Sequence, residues 1–313
     1  MESSGEKVSH TGKLGESKKG NLMADRPRFG PAGVPIIFKV LKAGLADVPG
    51  FLREEGLDAF EYQAVRWGAK PQIKKEDAEK LSVKAKENDV LVSLHGSYFI
   101  NFCGKKQVVE DSKKRLIACA TAAEWMNAYV VVFHPGFYGK KMHAEAFKDC
   151  SNALKEVVEA MKSLGIRDVK LGPETMGKVS QFGSLDEILR LCEEVEKTNL
   201  VIDWGHLHAR SGGGMKSVED FRAVVELAEK RLGTEAVRNL HCHFSKIEYT
   251  DKGERCHHML NEEEYGPDFA MFVKVIVEFK LRPVIISETP IIDVDAMKMR
   301  RILRKSLKTL ALA

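Results

Sequence analysis

The residues best suited to do chemistry sit at the ends of short apolar runs. In LVIDWGHLHARSGG, residues 200–213, apolar residues lead into Asp203, and His206 and His208 follow at once. VLVSLH ends in His95, YVVVFHP carries His134, and VKLGPET carries Glu174. VRNLHCHF carries His241 and His243, HHMLNE opens with His257 and His258, and RPVIISETP carries Glu288. LDAFEYQ adds Glu61, Tyr62 and Gln63. Burying such groups together costs several kcal/mol per ion unless something compensates them. A shared cation does so, because neutral imidazoles and carboxylates are its ligands. The number of ligands exceeds what one ion needs and points to two or three. Mixed N/O donors suit Zn²⁺, with Mn²⁺ or Fe²⁺ as alternatives. Asp203 and His206 are expected to reach adjacent metals. For His208 three roles stay open: a further ligand, a group behind the ligands or facing substrate, or a solvated loop residue.

Positioning these groups requires a regular scaffold, and the chain alternates steadily between strand and helix patterns. The strands are expected at VPIIFKV (34–40), LDAFEYQ (57–63), VLVSLH (90–95), YVVVFHP (129–135), VKLGPET (169–175), LVIDWGH (200–206), VRNLHCHF (237–244) and RPVIISETP (282–290). Helices are expected near 74–88, 110–127, 143–164, 184–197, 217–231 and 266–279, with a last one from about Val294. Continuous apolar strands are those covered on both faces. Strands alternating with helices make a parallel sheet. Eight such units predict a closed (β/α)₈ TIM barrel, a single domain over 27–313. A doubly wound open sheet is disfavoured because KVLKAGLADVPG, after the first run, has no dinucleotide-binding glycine pattern. In a barrel the C-terminal strand ends build the active site, which is where the ionisable residues fall.

Residues 1–26 are expected to be a disordered polar tail, since MESSGEKVSHTGKLGESKKGNLM is too poor in apolar residues to offset its ordering entropy. Met23 offers an alternative start. The 313 residues, 44% hydrophobic and 30% charged, are enough for one large core. A net charge of +4 permits contact with a polyanion without requiring it. Six cysteines with no CxxC pair, and no apolar leader, suggest reduced thiols and a cytoplasmic location. No apolar run is long enough to span a bilayer.

With these motifs in hand, the chain resembles the endonuclease IV family of apurinic/apyrimidinic endonucleases, xylose-isomerase-like TIM barrels. The resemblance runs over nearly all of residues 27–308. It is carried by LHGSYFINF (94–102), VFHPG (132–136), PET (173–175), IDWGH (202–206), LHCHFSK (240–246), HHMLNE (257–262) and ISETP (286–290). It implies a trinuclear zinc centre. The first metal would take His95, His134 and Glu174. The second would take Glu174, Asp203, His241 and Glu288, with Glu174 bridging. The third would take His206 and His257. The family completes that third site from an Asp-x-His pair, but here Arg255 stands two before His257. Either Glu254 substitutes, or the metal is weakly held or absent; Cys256, two before His258, is a further donor.

The resemblance also implies a reaction and a partner. The reaction is hydrolysis of a DNA phosphodiester 5′ to an abasic site in double-stranded DNA, by a protein expected to be a monomer. Glu174 and Glu288 would be catalytic, Glu288 both as a ligand and in orienting the nucleophile. Tyr98, Arg66 and Lys246 are the expected DNA contacts, and Trp67 is either a probe of the duplex or packing. The GKK pairs at 104–106 and 139–141 would add positive charge at the barrel mouth. The principal alternative is a divalent-metal sugar isomerase or epimerase on the same barrel, for which His95 and His134 would be surplus. A non-catalytic DNA-binding barrel is a further alternative.

Overall fold

The computed structural model of the protein describes residues 24–41 and 43–312. Its eight central strands are β1 Arg28–Pro31, β2 Ala59–Gln63, β3 Leu91–His95, β4 Val130–Phe133, β5 Lys170–Pro173, β6 Val201–Asp203, β7 His241–Phe244 and β8 Val284–Ser287. β2 to β5 pair in parallel in chain order, and so do β6, β7, β8 and β1. Parallel bridges close both seams: Ala32 to Glu61 joins β1 to β2, while Leu171 to Thr198 and Glu174 to Val201 join β5 to β6. The result is a closed (β/α)₈ TIM barrel.

The expected order of elements holds, with one strand displaced. VPIIFKV is not the first strand. β1 is RFGP, and Phe38–Leu41 is a single helical turn with Val34, Ile36, Ile37 and Val40 exposed. The reason is close packing where the barrel closes. A Cβ on Gly30 would overlap the Ala59 carbonyl oxygen, so at this position β1 passes too near β2 for any side chain. Residues 1–23 of the predicted tail lie outside the described residues. The predicted tail's last three, 24–26, pack against the barrel. Ala24 is buried, and Arg26 reaches Asp58 at 3.1 Å and Asp89 at 2.7 Å.

The helices form the outer layer because their apolar residues recur every three or four positions. His143–Ser163, for example, buries Ala146, Cys150, Leu154, Val157 and Met161. Between barrel and helices lies an aromatic cluster in which Trp204 sits 4.5 Å from Phe272 and 4.9 Å from Phe221, and Phe244 sits 4.9 Å from Phe269. All six cysteines are free thiols. Among the described residues no helix is long and apolar enough to cross a membrane.

Two antiparallel strand pairs decorate the C-terminal end of the barrel, where the sequence pattern predicts only loops. One pairs Gly136–Phe137 with Gln181–Phe182. The other pairs Lys246–Thr250 with Gly253–His258, and it contains a bulge. Tyr249 faces Glu254 and Glu248 faces Cys256, which leaves Arg255 as the extra residue.

Candidate metal centre

Strand periodicity puts residues two apart on one face, so each barrel strand offers its interior a short ladder. Glu61 and Gln63 come from β2, Ser93 and His95 from β3, His241 and His243 from β7. His134, Glu174 and Glu288 lie one residue past β4, β5 and β8. Asp203 ends β6, and the chain turns there into the short helix Trp204–Arg210. Asp203 caps that helix, accepting the His206 amide on Oδ1 at 2.6 Å. The Asp-x-x-His spacing is thus a helix cap that leaves the second oxygen, Oδ2, to face inward.

Glu174 is the hub. It is fully buried, with His95 Nε2 at 3.4 Å, His134 Nε2 at 3.2 Å, His206 Nδ1 at 3.2 Å and His243 Nδ1 at 3.2 Å from its oxygens. Burial pushes its carboxyl up, but the imidazoles of His243, His134 and His206 outweigh that and hold it well below the usual range. Glu288 lies 3.3 Å from His243 and behaves oppositely. Burial raises its carboxyl, Glu174 and Asp203 raise it further, and His243 and His257 do not compensate.

Other bonds fix which nitrogens are free. His95 Nδ1 donates to the Gly96 carbonyl at 3.0 Å, and His206 Nδ1 to the Thr175 carbonyl at 2.9 Å. Each ring then presents Nε2 as a lone pair, the arrangement found in metal-binding histidines. His257 is held at Nδ1 by Ser245 Oγ at 2.9 Å. Three buried atoms of the cluster, His95 Nε2, Glu174 Oε2 and Asp203 Oδ2, have no hydrogen-bond partner among the described residues. Buried polar groups are ordinarily satisfied. Lone pairs converging without donors are what a cation would satisfy, so the donor set fits divalent metal.

Ligand atoms converge in several adjoining groups, among them His95, His134 and Glu174; His95, His243 and Glu288; His206, Glu254 and His257; and, one layer deeper, Glu61, His241 and His243. The third group answers the question Arg255 raised. Glu254 Oε2 is 3.4 Å from His206 Nε2, and its Oε1 is 3.7 Å from His257 Nε2. In a regular strand residue 255 would share the face of 257. The bulge shifts the parity, turning Glu254 inward and Arg255 outward onto Glu248 at 2.5 Å. Two glycines permit the approach. A Cβ on Gly177 would meet the Glu254 Cβ at 2.7 Å, and one on Gly253, at φ +93°, would overlap the Gly177 carbonyl.

Two expected site residues fall elsewhere. His241 does not touch Glu174 or Glu288: the structure places His243 there. His241 lies one step deeper, 3.2 Å from Glu61 and 2.5 Å from the Tyr129 hydroxyl. Both histidines face inward: the one nearer the strand's C-terminal end reaches Glu174 and Glu288, and His241 converges with Glu61 and His243 in the deeper group. Lys246 is also displaced. It is nearly buried, its ammonium donates to the Glu262 carbonyl at 2.8 Å, and it lines a neighbouring cavity. His208 lines that same cavity, buried and directed away from the cluster. Trp67 is packing, buried against Tyr62.

A cleft of about 460 Å³ opens over the cluster, bounded among others by Tyr98, His134, Lys178, His206, Glu254 and Glu288. Tyr98 is half exposed and lies over the His134 ring, centroids 5.1 Å apart and planes 18° from parallel. Arg66 is exposed on the loop after β2, and Lys105, Lys106 and Lys140 are exposed after β3 and β4. Sequence reasoning misses Lys178 and the part Glu61 plays. A lone lysine after PETMG carries no signal, and a single acid on a strand is outweighed by the His-rich motifs. Glu61 accepts from Ser93 Oγ at 3.0 Å and lies 3.2 Å from both His241 and His243.

Known proteins share this architecture. Residues 50–311 match the model of the xylose isomerase-like TIM barrel family. An uncharacterized protein of Methanocaldococcus jannaschii is 33% identical over 87% of this chain and 95% of its own. A probable endonuclease 4 of Persephonella marina is 25% identical over 83% of this chain and 92% of its own. Among solved structures, endonuclease IV from Thermus thermophilus superposes with a TM-score of 0.64 at 19% identity, over 85% of this chain and 95% of its own. A D-tagatose 3-epimerase-like protein does so with 0.60 at 19% identity, over 85% and 96%. At these identities the structural matches speak for the fold alone.

Proposed function

The chain belongs to the xylose isomerase-like TIM barrel family, and from that premise we propose that it is a metal-dependent DNA-repair endonuclease that hydrolyses the phosphodiester 5′ to abasic sites. The observation that carries the reading is the trio of adjoining His and carboxylate groups around Glu174. His95, His134 and Glu174 would hold one cation. Glu174, Asp203, His243 and Glu288 would hold a second, and His206, Glu254 and His257 a third. Zinc is the metal best suited to these donors. Cations bound there would polarise a phosphoryl oxygen and acidify a water at neutral pH. The protein's own contributions are distinct. Glu288, at the cleft's edge, orients the nucleophile and accepts its proton. Tyr98 offers a half-exposed ring on which a sugar without a base can rest. Lys178 at the cleft and Arg66, Lys105, Lys106 and Lys140 around it supply phosphate contacts. A nucleotide that lacks a base is cheap to extrude, since no pair or stack is broken. Curated relatives named as probable endonuclease 4 support the same reading.

One observation favours a second reading, a sugar isomerase or epimerase. Glu174 and Glu288 both approach one imidazole, His243, at 3.2 and 3.3 Å, and two carboxylates brought together in this way can serve as acid and base. A single metal on Glu174, Asp203, His243 and Glu288 would suffice for it. His95, His134 and the whole His206, Glu254 and His257 group would then have no task, so the nuclease is preferred.

The test is cleavage of a labelled duplex carrying one abasic site, with metal counted by mass spectrometry on the same preparation. The nuclease predicts a cut 5′ to the site and two or three metals per chain, both lost on chelation. Glu174→Gln should abolish the cut and lose metal with the circular dichroism spectrum unchanged. No cut with one metal per chain, and turnover of a ketose, would move the assignment to the second reading.

A further inference from the structure

Outside the barrel mouth a different set of donors converges on the outer face of the bulged hairpin. Cys256 Sγ lies 3.2 Å from His258 Nε2 and 3.3 Å from Glu248 Oε2, and His258 Nε2 lies 3.8 Å from Glu248 Oε2. A tetrahedral ion with Zn–S near 2.3 Å and Zn–N or Zn–O near 2.0–2.2 Å has ligand-to-ligand edges of about 3.4–3.6 Å. The three separations bracket that range. We propose that Glu248, Cys256 and His258 form a further metal site for a thiophilic divalent cation of the Zn²⁺ class, with solvent in the fourth position.

The histidine is prepared for this role. Its Nδ1 sits 2.8 Å from Glu262 Oε1, which keeps the proton there and leaves the Nε2 lone pair aimed at the sulfur. Glu262 is itself fixed by the Met259 amide at 2.6 Å, and the His258 ring stacks on Tyr265 with centroids 3.6 Å apart. A carboxylate behind a ligating histidine is the usual support for a metal. Arg255 takes the other Glu248 oxygen, Oε1, and leaves Oε2 to the cluster. Cys256 is exposed, so a cation reaches it from solvent, and its thiol proton leaves to solvent on binding. Glu248 and Cys256 are the pair flanking the bulge, on opposite strands. A metal here therefore staples the irregularity that turns Glu254 toward His206.

The site contains a thiolate and the barrel-mouth cluster contains none, so cobalt distinguishes them. The wild-type protein and Cys256→Ser are stripped of metal and titrated with Co²⁺. The expected result is a thiolate-to-cobalt charge-transfer band in the wild type that is lost in Cys256→Ser, with the ligand-field bands of the barrel-mouth ions present in both. Cys256→Ser should also bind one cation fewer per chain. Zn²⁺ should slow alkylation of Cys256 in the wild type by about an order of magnitude, mapped by peptide mass. A wild type with no such band, or Cys256 alkylated equally fast with and without Zn²⁺, overturns the proposal. Missing ligand-field bands with the thiolate band intact would count against the barrel-mouth centre instead.

Discussion

If the bulge selects Glu254 as the acid of the third group, Glu254→Ala should remove a cation there, and moving an acid to position 255 should not restore it. Glu254 lies 3.4 Å from His206 and 3.7 Å from His257, with its side chain 17% exposed. The His206, His257 and Lys178 charges overcome the burial that raises it and hold its carboxyl down at about 2. Losing a group that merely supports a metal ligand costs about 10–100-fold in affinity, so losing the ligating carboxylate itself should cost about a hundredfold, or about 2.7 kcal/mol. The assay is metal content by mass spectrometry after dialysis at graded free Zn²⁺, with thermal unfolding as a control for folding. Glu254→Ala should require about a hundredfold more free Zn²⁺ to fill the last site. Glu254→Asp, shorter by one methylene, should fall between the two. Glu254→Ala/Arg255→Asp should behave like the single alanine variant, because residue 255 points toward Glu248. Recovery of the last metal in that double variant would refute the bulge argument, since it would mean that residue 255 faces inward.

Three further expectations follow from the same geometry. Gly177→Ala keeps an ordinary backbone but sets a methyl 2.7 Å from Glu254 Cβ and 3.1 Å from His206 Cδ2. It should cost about 1–3 kcal/mol in chemical denaturation and lose the third metal while keeping the other two; retention of all three would show that the hairpin yields freely. Glu61→Gln preserves shape but removes the charge behind His243, and should weaken binding of the Glu174, Asp203, His243 and Glu288 ion about 10–100-fold in a chelator competition; unchanged affinity would make Glu61 structural only. Away from the metals, Glu187 caps its own helix through Ser184 and accepts from Tyr138 at 2.7 and 2.9 Å. Burial raises its carboxyl, but Tyr138 and the Ser184 and Gly183 amides outweigh that and lower it. Its contribution is thus complete above the unfolded value of about 4.3 and is lost as pH falls through the lowered folded value. Glu187→Gln should flatten that part of the urea-unfolding profile with pH, and a wild-type profile already flat there would contradict it.

The barrel was legible because its physics is periodic. Runs such as VVVF between helices with three- and four-residue spacing leave few alternatives. β1 escaped for a local reason: the contact of Gly30 with Ala59 leaves no room for a side chain at that position of the strand. The ligands were legible as types because imidazoles and carboxylates rarely share buried strand ends. Choosing between His241 and His243 was not. The two are equivalent by parity, and only the stagger of β7 against β6 and β8, with His243 level with Asp203 and Ile286, decides which reaches Glu174. Lys246 was misjudged because its sequence position puts it just past a strand of the site, whereas its side chain follows the hairpin into another cavity.

The third group shows why such a departure from a family motif should be read through backbone geometry before it is read as loss. A strict count of two places Arg255 where an acid is expected and suggests a damaged site. One extra residue in the strand changes which side chain faces inward, and a carboxylate arrives from position 254. Arg255 and the bulge therefore belong together in this chain. The bulge frees position 255 from the cluster, and Arg255 then takes up Glu248 on the outer face, beside Cys256 and His258. A regular hairpin with Arg255 would aim a guanidinium at His206 and His257, while a bulged hairpin with an acid at 255 would crowd Glu248 with a second negative charge. The inward place of Glu254 and the outward place of Arg255 thus depend on the same bulge.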